Sequence, residues 1–291
     1  MLEPFQFEFF TRGLIAATLT GALCGLMGVY IVLRKMSYIG HGLAHAAFGG
    51  AVVSYVMQLN FYFGAGLWGF GAALLINAVA RRRGIGADAA IGIITTASFA
   101  LGVALISRYR RFSRNFDAAL FGNILGVTTE DLVVIGVVLM ATVLVVFFFY
   151  KQLLFTTFDP EVARVYGVNT ALAETVFALM LAGTIIASMQ VMGVTLVAAA
   201  VVVPAIVARL LTDSFSSMLW LSTTIGALCG LVGIYASYFL DVSSGATIVL
   251  VSALLFVLVF GWTLLLRGLG RRGARATVGA RKAESIAGLF D

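Results

Sequence analysis

Residues Asp131–Tyr150 read DLVVIGVVLMATVLVVFFFY, a run whose only charged side chain is its first residue. A helix needs about 20 apolar residues to cross the hydrocarbon core of a bilayer, and this run supplies them. Further apolar runs lie at 13–33, 38–59, 63–80, 88–107, 170–188, 193–211, 217–240 and 246–266. Composition points the same way: 61% of residues are hydrophobic, 11% are charged and the mean hydropathy is +1.05. Soluble domains carry about a quarter charged residues. The chain is therefore expected to be an all-α polytopic transmembrane bundle of about eight or nine spans. A short interfacial segment (1–12) precedes the membrane domain (13–266), and a basic cytoplasmic tail (267–291) follows it. MLEPFQFEFF is acidic and aromatic and has no basic n-region, so it is read as that interfacial segment and not as a signal peptide.

The net charge of +6 comes from 19 Lys and Arg against 13 acids. These bases sit at span ends, which makes them a topology signal. Arg34 and Lys35, Arg81 to Arg83, Lys151 with Arg164, Arg209, and Arg267 to Lys282 all fall on one side, the cytoplasmic one by this rule. The N-terminus is then outside and the C-terminus inside. SRYRRFSRN (Ser107 to Asn115) disagrees, because it would place Arg108, Arg110, Arg111 and Arg114 outside. Either the span count is off by one there or those arginines act on the external face. FDAALFGNILG (Phe116 to Gly126) is too short to span and reads as re-entrant or interfacial.

The chain also repeats itself. Gly21 to Tyr30 is GALCGLMGVY and Gly226 to Tyr235 is GALCGLVGIY, identical at eight of ten positions. Common membrane residues converge easily, but internal repeats are frequent in transporters. Cys24 and Cys229 lie within apolar runs and read as packing residues.

The chemistry concentrates in SYIGHGLAHAAFGG (Ser37 to Gly50). It holds His41 and His45, the only two histidines of the chain, spaced four apart. On a helix such residues share one face, about 5–6 Å apart at Cβ, and two imidazoles so placed can hold one divalent transition metal. In a soluble protein the pair would read as two unrelated helix histidines. In a membrane segment, where ionisable groups are costly, a functional role is the default.

Several classes are excluded or disfavoured. No GxxxxGK[ST] motif is present, since the only lysines are Lys35, Lys151 and Lys282. No acid is spaced with the histidines as a catalytic triad requires, so the chain is not expected to be an enzyme. Bases are not interleaved with exposed aromatics, and nucleic acid is not an expected partner. The cytoplasmic loop KQLLFTTFDPEVARVYGVNT (Lys151 to Thr170) contains a helix start, with Asp159 before Pro160, and Gly167 in the C′ position. The short helix between them is suited to a partner's groove, though a surface connector would look the same. Lower-ranked candidates are Met189, Gln190 and Met192 at an outer connection, Glu174 facing headgroups, Asp88 as a helix N-terminal charge and Asp241 in an outer loop.

These stretches together resemble the membrane permease of the zinc/manganese/iron-type metal ABC importers. VLRKMSYIGHGLAHA (Val32 to Ala46) resembles the family's VLRRMSxxGDxxSHA, and DAAIGIITTASFALGVALIS (Asp88 to Ser107) and LFGNILGV (Leu120 to Val127) are similar to two further family stretches. FDPEVARVYGV, SMQVMGVTLVAAAVVVPA (Ser188 to Ala205) and DVSSGATIVL (Asp241 to Leu250) extend the match over almost the whole chain. The resemblance implies a type II ABC importer-like bundle in a bacterial or archaeal cytoplasmic membrane. Its implied partners are a second copy of the chain, a separate ATP-binding cassette ATPase and an extracellular metal-binding protein. It implies a coupling helix in which Phe158, Asp159, Pro160, Glu161, Ala163 and Gly167 meet the ATPase, and a metal path lined by the helix of His41 and His45. Divalent metal is then cargo, and no cofactor is held permanently. His41 departs from the family's usual aspartate. That change favours a borderline ion such as zinc over manganese, and leaves gating or proton relay open for the pair. The external arginines would pair with acids on the docked metal-binding protein. A stand-alone secondary metal transporter or channel is the competing reading.

Overall fold

The computed structural model describes residues 3–80, 86–109 and 120–287, and every regular element among them is helical. The long helices of the first half are α1 (Glu8–Leu33), α2 (Ser37–Val56), α3 (Phe61–Ala80), α4 (Ala87–Tyr109) and α5 (Thr129–Phe148). Two short helices follow, α6 (Tyr150–Phe158) and α7 (Pro160–Val165). The second half comprises α8 (Thr170–Met192), α9 (Val197–Leu211), α10 (Phe215–Leu240) and α11 (Ser244–Ala287). Seven helices among the described residues are long and apolar enough to cross a membrane: α1, α3, α4, α5, α8, α10 and the Ser244–Leu266 part of α11. The other two expected spans are α2, which packs against α3 and α4, and α9, which packs against α1, α10 and α11. α11 continues helical past Arg267, into the stretch read from sequence as a basic cytoplasmic tail.

The lone acid of the Asp131–Tyr150 run has a structural use. Thr128 caps α5 by accepting from the Asp131 amide at 3.2 Å, and an Asp131 carboxylate oxygen accepts from the Thr128 amide at 2.7 Å. The other carboxylate oxygen accepts from the Tyr62 hydroxyl of α3 at 2.5 Å, and Asp131 is only 7% exposed. Asn60 donates to Glu130 at 2.8 Å beside it. A reciprocal cap of this kind satisfies helix-end groups, here at the end opposite the basic cluster.

α2 and α4 run parallel, since Gly42 meets Ile91 and Thr95 while Gly49 meets Ser98. With α2 starting on the cytoplasmic side, as the positive-inside rule places it, the C-terminus of α4 and Arg108 fall at the opposite end. Seven described helices qualify as spans by length and composition, and with α2 and α9 the expected eight or nine is roughly met. Arg110, Arg111 and Arg114 lie outside the described residues. The described part of the Phe116–Gly126 stretch does not cross. The Leu120 carbonyl accepts from the Thr195 amide and hydroxyl, and the Asn123 amide donates to the Gln190 carbonyl at 3.0 Å. The segment is thereby fixed to the α8–α9 junction.

α1 and α8 form the centre of the core, with Leu23, Met27, Tyr30, Leu181 and Ile185 fully buried. α1 and α10, which carry the two repeat copies, pack antiparallel, and the copies meet at their first residues, Gly21 and Gly226. A Cβ on Gly25 would lie 2.3 Å from the Ser222 carbonyl oxygen, and one on Gly230 would lie 2.2 Å from that of Ala17. Only residues without side chains permit such approach, which in lipid substitutes packing for the hydrophobic effect. Ser222 adds a hydrogen bond, donating to the Gly25 carbonyl at 2.6 Å. Cys24 and Cys229 are buried and unpaired. Met189 and Met192 are fully buried core.

Candidate metal path and coupling segment

His41 and His45 occupy the second and third turns of α2, counted from its cytoplasmic start. Their Nε2 atoms are 3.1 Å apart and the rings stand nearly perpendicular, at 85°. One nitrogen donates and the other accepts, so at least one Nε2 lone pair is held inside the pair. An ion bound 2.0–2.1 Å from each nitrogen needs them about 2.8–3.4 Å apart for bond angles between square and tetrahedral. The observed separation lies in that range, and an ion could replace the shared proton without moving the helix.

The surroundings are specific. His45 packs edge-on against Phe99 of α4, with ring centroids 4.7 Å apart. Its Nδ1 is buried and has no hydrogen-bond partner among the described residues. Metal-bound imidazoles are usually oriented through that second nitrogen; here only the Nε2 contact and Phe99 orient the ring. Both histidines open on a cavity of about 580 Å³ between α2 and α4, whose wall also includes Tyr38, Asp88, Thr95 and Phe99. Among the described residues no three His, Cys, Asp or Glu side chains converge as a metal site. The histidine pair supplies two donors, and a fuller shell requires water or another chain.

Asp88 is the residue that sequence reasoning undervalued. It does lie in the first turn of α4, where a carboxylate suits the helix dipole. It also faces the histidine cavity, because α4 packs beside α2, a pairing between helices that are not consecutive. Glu174 differs from its reading as well. It is half-buried and lines a second cavity, of about 480 Å³, with Arg34, Asn77 and Thr156. Asp241 is the left-handed cap of α10, at φ 53°.

The stretch read as a single cytoplasmic loop is two helices, α6 and α7. α7 starts as expected: the Asp159 carboxylate accepts from the amides of Glu161 and Val162, both at 3.0 Å, and Pro160 fills the first turn. It ends at Gly167, φ 78°, whose left-handed backbone lets the Val168 amide reach back to the Ala163 carbonyl. Ala163 is buried, anchoring the helix to the bundle, whereas Phe158, Val165 (86%) and Tyr166 (76%) stay exposed. Glu161 faces solvent. This capped helix anchors one small residue and displays large apolar ones, an exposed apolar surface of the kind that suits a partner.

Residues 6–262 match the model of the ABC 3 transport family. The manganese transport system membrane protein MntC of Listeria monocytogenes is 37% identical over 255 residues, covering 88% of this chain and 91% of that protein. A Haemophilus influenzae protein named "Probable iron transport system membrane protein" is 33% identical, covering 90% and 97%. The solved structure of PsaBC from Streptococcus pneumoniae in complex with Fab superposes with a TM-score of 0.81 at 34% identity, covering 89% of this chain and 94% of the other. With a family model matched over residues 6–262 and relatives at least 33% identical over about nine-tenths of the chain, the chain belongs to the ABC 3 transport family.

Proposed function

We propose that this chain is the permease subunit of an ATP-driven importer that moves a divalent transition metal inward across a bacterial or archaeal cytoplasmic membrane. The observation that carries this reading is the His41–His45 pair, 3.1 Å apart between Nε2 atoms on the wall of a cavity. ATP hydrolysis belongs to a separate subunit, since the chain lacks a phosphate-binding loop. That ATPase would dock on Phe158, Asp159, Pro160, Glu161, Ala163 and Gly167. A second copy of the permease would complete the donor set across a shared path, where Asp88 adds a carboxylate on the cytoplasmic side. An external metal-binding protein would deliver cargo to the face that carries Arg108, Arg110, Arg111 and Arg114, with complementary charge speeding the encounter.

The ion is constrained from two directions. Imidazole donors favour Fe²⁺ and Zn²⁺ over Mn²⁺, and the relatives are named for manganese and iron. Zinc is supported by the donor set alone, manganese by the relatives alone and iron by both. The exposed apolar face of α7 favours an ATPase-driven permease over a stand-alone carrier, which has no use for it.

The deciding experiment is uptake by the permease reconstituted with its ATPase and binding protein, supplied with Fe²⁺, Mn²⁺ or Zn²⁺. The His41→Ala, His45→Ala double variant should assemble and lose at least tenfold of the uptake. Unchanged uptake of every ion by that variant rejects the histidine path.

A further inference from the structure

We infer that Arg34 is a positioning residue that transmits movement of the coupling segment to the histidine-bearing helix, an assignment that rests on the ATP-driven reading above. Arg34 follows the last residue of α1, and only Lys35 and Met36 separate it from α2. The turn is tight and fully bonded. The Arg34 amide donates to the Tyr30 carbonyl, that of Lys35 to Val32 and that of Met36 to Ile31, at 3.0–3.1 Å, with Lys35 left-handed at φ 57°. A displacement of Arg34 therefore reaches the first turn of α2 with little slack, and His41 lies one turn further on.

The side chain of Arg34 crosses to α6. Its Nε donates to the Thr157 hydroxyl oxygen and its Nη2 to that of Thr156, each at 3.1 Å. Both threonine hydroxyls in turn donate to carbonyls of their own helix, Thr156 to Gln152 at 2.8 Å and Thr157 to Leu153 at 2.6 Å. Their protons are thus committed, and their lone pairs are presented to the guanidinium in a fixed direction. Two residues beyond Thr157 is Asp159, the cap of α7. The guanidinium also lies 4.2 Å above the Phe177 ring of α8, which fixes its plane.

Space for movement is present. The cavity of about 480 Å³ is walled by Arg34, Thr156 and Phe158 on one side and by Ile39 and Leu43 of α2 on another. Ile39 and Leu43 face it, while His41 and His45 open on the separate cavity beside α4. α2 is thus a partition between two hollows, and Arg34 is the polar tie between its root and the segment an ATPase would push. The groups acting on the guanidinium are Glu174 and Tyr30, together with the two threonines. Burial lowers the Arg34 pKa to about 10, which leaves it charged at neutral pH.

The test uses the full reconstituted complex and reads metal uptake per ATP hydrolysed. Arg34→Gln should keep ATPase association and hydrolysis within twofold of the parent, and lower uptake per ATP at least fivefold. Arg34→Lys, which keeps the charge but not the fork of donors, should recover part of that ratio. Thr156→Val with Thr157→Val removes only the acceptors and should lower the ratio in the same direction. A merely structural role would reduce assembly, hydrolysis and uptake together and leave the ratio unchanged, which overturns the inference. If Arg34→Gln does not assemble, the threonine variant decides by the same ratio. Failure of the parent complex to couple ATP to uptake of any of the three ions would reject the proposed function, an outcome distinct from an unchanged ratio in the variants.

Discussion

Gly21 of α1 and Gly226 of α10 stand backbone to backbone, and a Cβ built on either would lie 2.1 Å from the carbonyl oxygen of the other. They are the first residues of the two repeat copies. The relationship is reciprocal, as a local two-fold axis between the helices requires. The neighbouring contacts obey the same axis: Gly25 on Ser222 and Gly230 on Ala17 are equivalent pairs. Resemblance between the two decapeptides therefore has a physical use. Each copy starts at the crossing and packs on the stretch that precedes the other, Gly25 on Ser222 and Gly230 on Ala17.

From this contact we predict that Gly21→Ala and Gly226→Ala each destabilise the permease strongly. The new methyl meets backbone and not a movable side chain, so the cost should reach or exceed the upper part of the usual overpacking range of about 1–3 kcal/mol. Gly136→Ala on α5, where an added Cβ meets nothing within 4 Å, is the matched control and should be neutral or slightly stabilising. Thermal unfolding of the detergent-solubilised protein, followed by retention of a single monodisperse species, measures both. Equal stability of Gly21→Ala and the parent would show that α1 and α10 can separate at no cost.

How much of this was legible in the sequence depends on whether the signal was local. Asp131–Tyr150 announced a span by length and apolarity alone, and Asp159, Pro160 and Gly167 announced α7 because caps are set by adjacent residues. The histidine pair was legible for the same reason, since four-residue spacing on one helix is a local fact. Asp88 was read only as a dipole charge because its cavity exists through packing of α4 beside α2, and no pattern within either helix encodes that. Arg34 was counted as one more positive-inside residue. Its partners Thr156 and Thr157 lie more than a hundred residues away, and nothing in their own neighbourhood singles them out. The repeat was visible, but that its copies meet at Gly21 and Gly226 was not.

His41→Asp installs the carboxylate that the family resemblance implies at this position, and it should shift ion preference. Replacing one borderline imidazole by a hard carboxylate favours Mn²⁺ relative to Fe²⁺ and Zn²⁺. A shift of about tenfold in the uptake ratio corresponds to about 1.4 kcal/mol of differential binding, well within what one ligand contributes. Competition uptake with paired ions in the reconstituted complex reads it directly. An unchanged ratio with intact total uptake would mean that position 41 lines the cavity without contacting the ion.

Gly92→Leu should block transport without disturbing the fold. Gly92 lies on the wall of the histidine cavity, and a Cβ added there meets nothing within 4 Å. A leucine at this position can therefore enter the cavity without displacing helix backbone, and its bulk would stand between Asp88 and the histidines. Uptake should fall at least tenfold, while thermal stability and co-purification with the ATPase stay at parental values. Gly71→Leu on α3, which also meets nothing within 4 Å but lies away from the cavity, should leave uptake intact. If Gly92→Leu instead separates the permease copies, the face between α2 and α4 is a subunit contact. Retained uptake in an intact complex would place the ion's route elsewhere in the bundle.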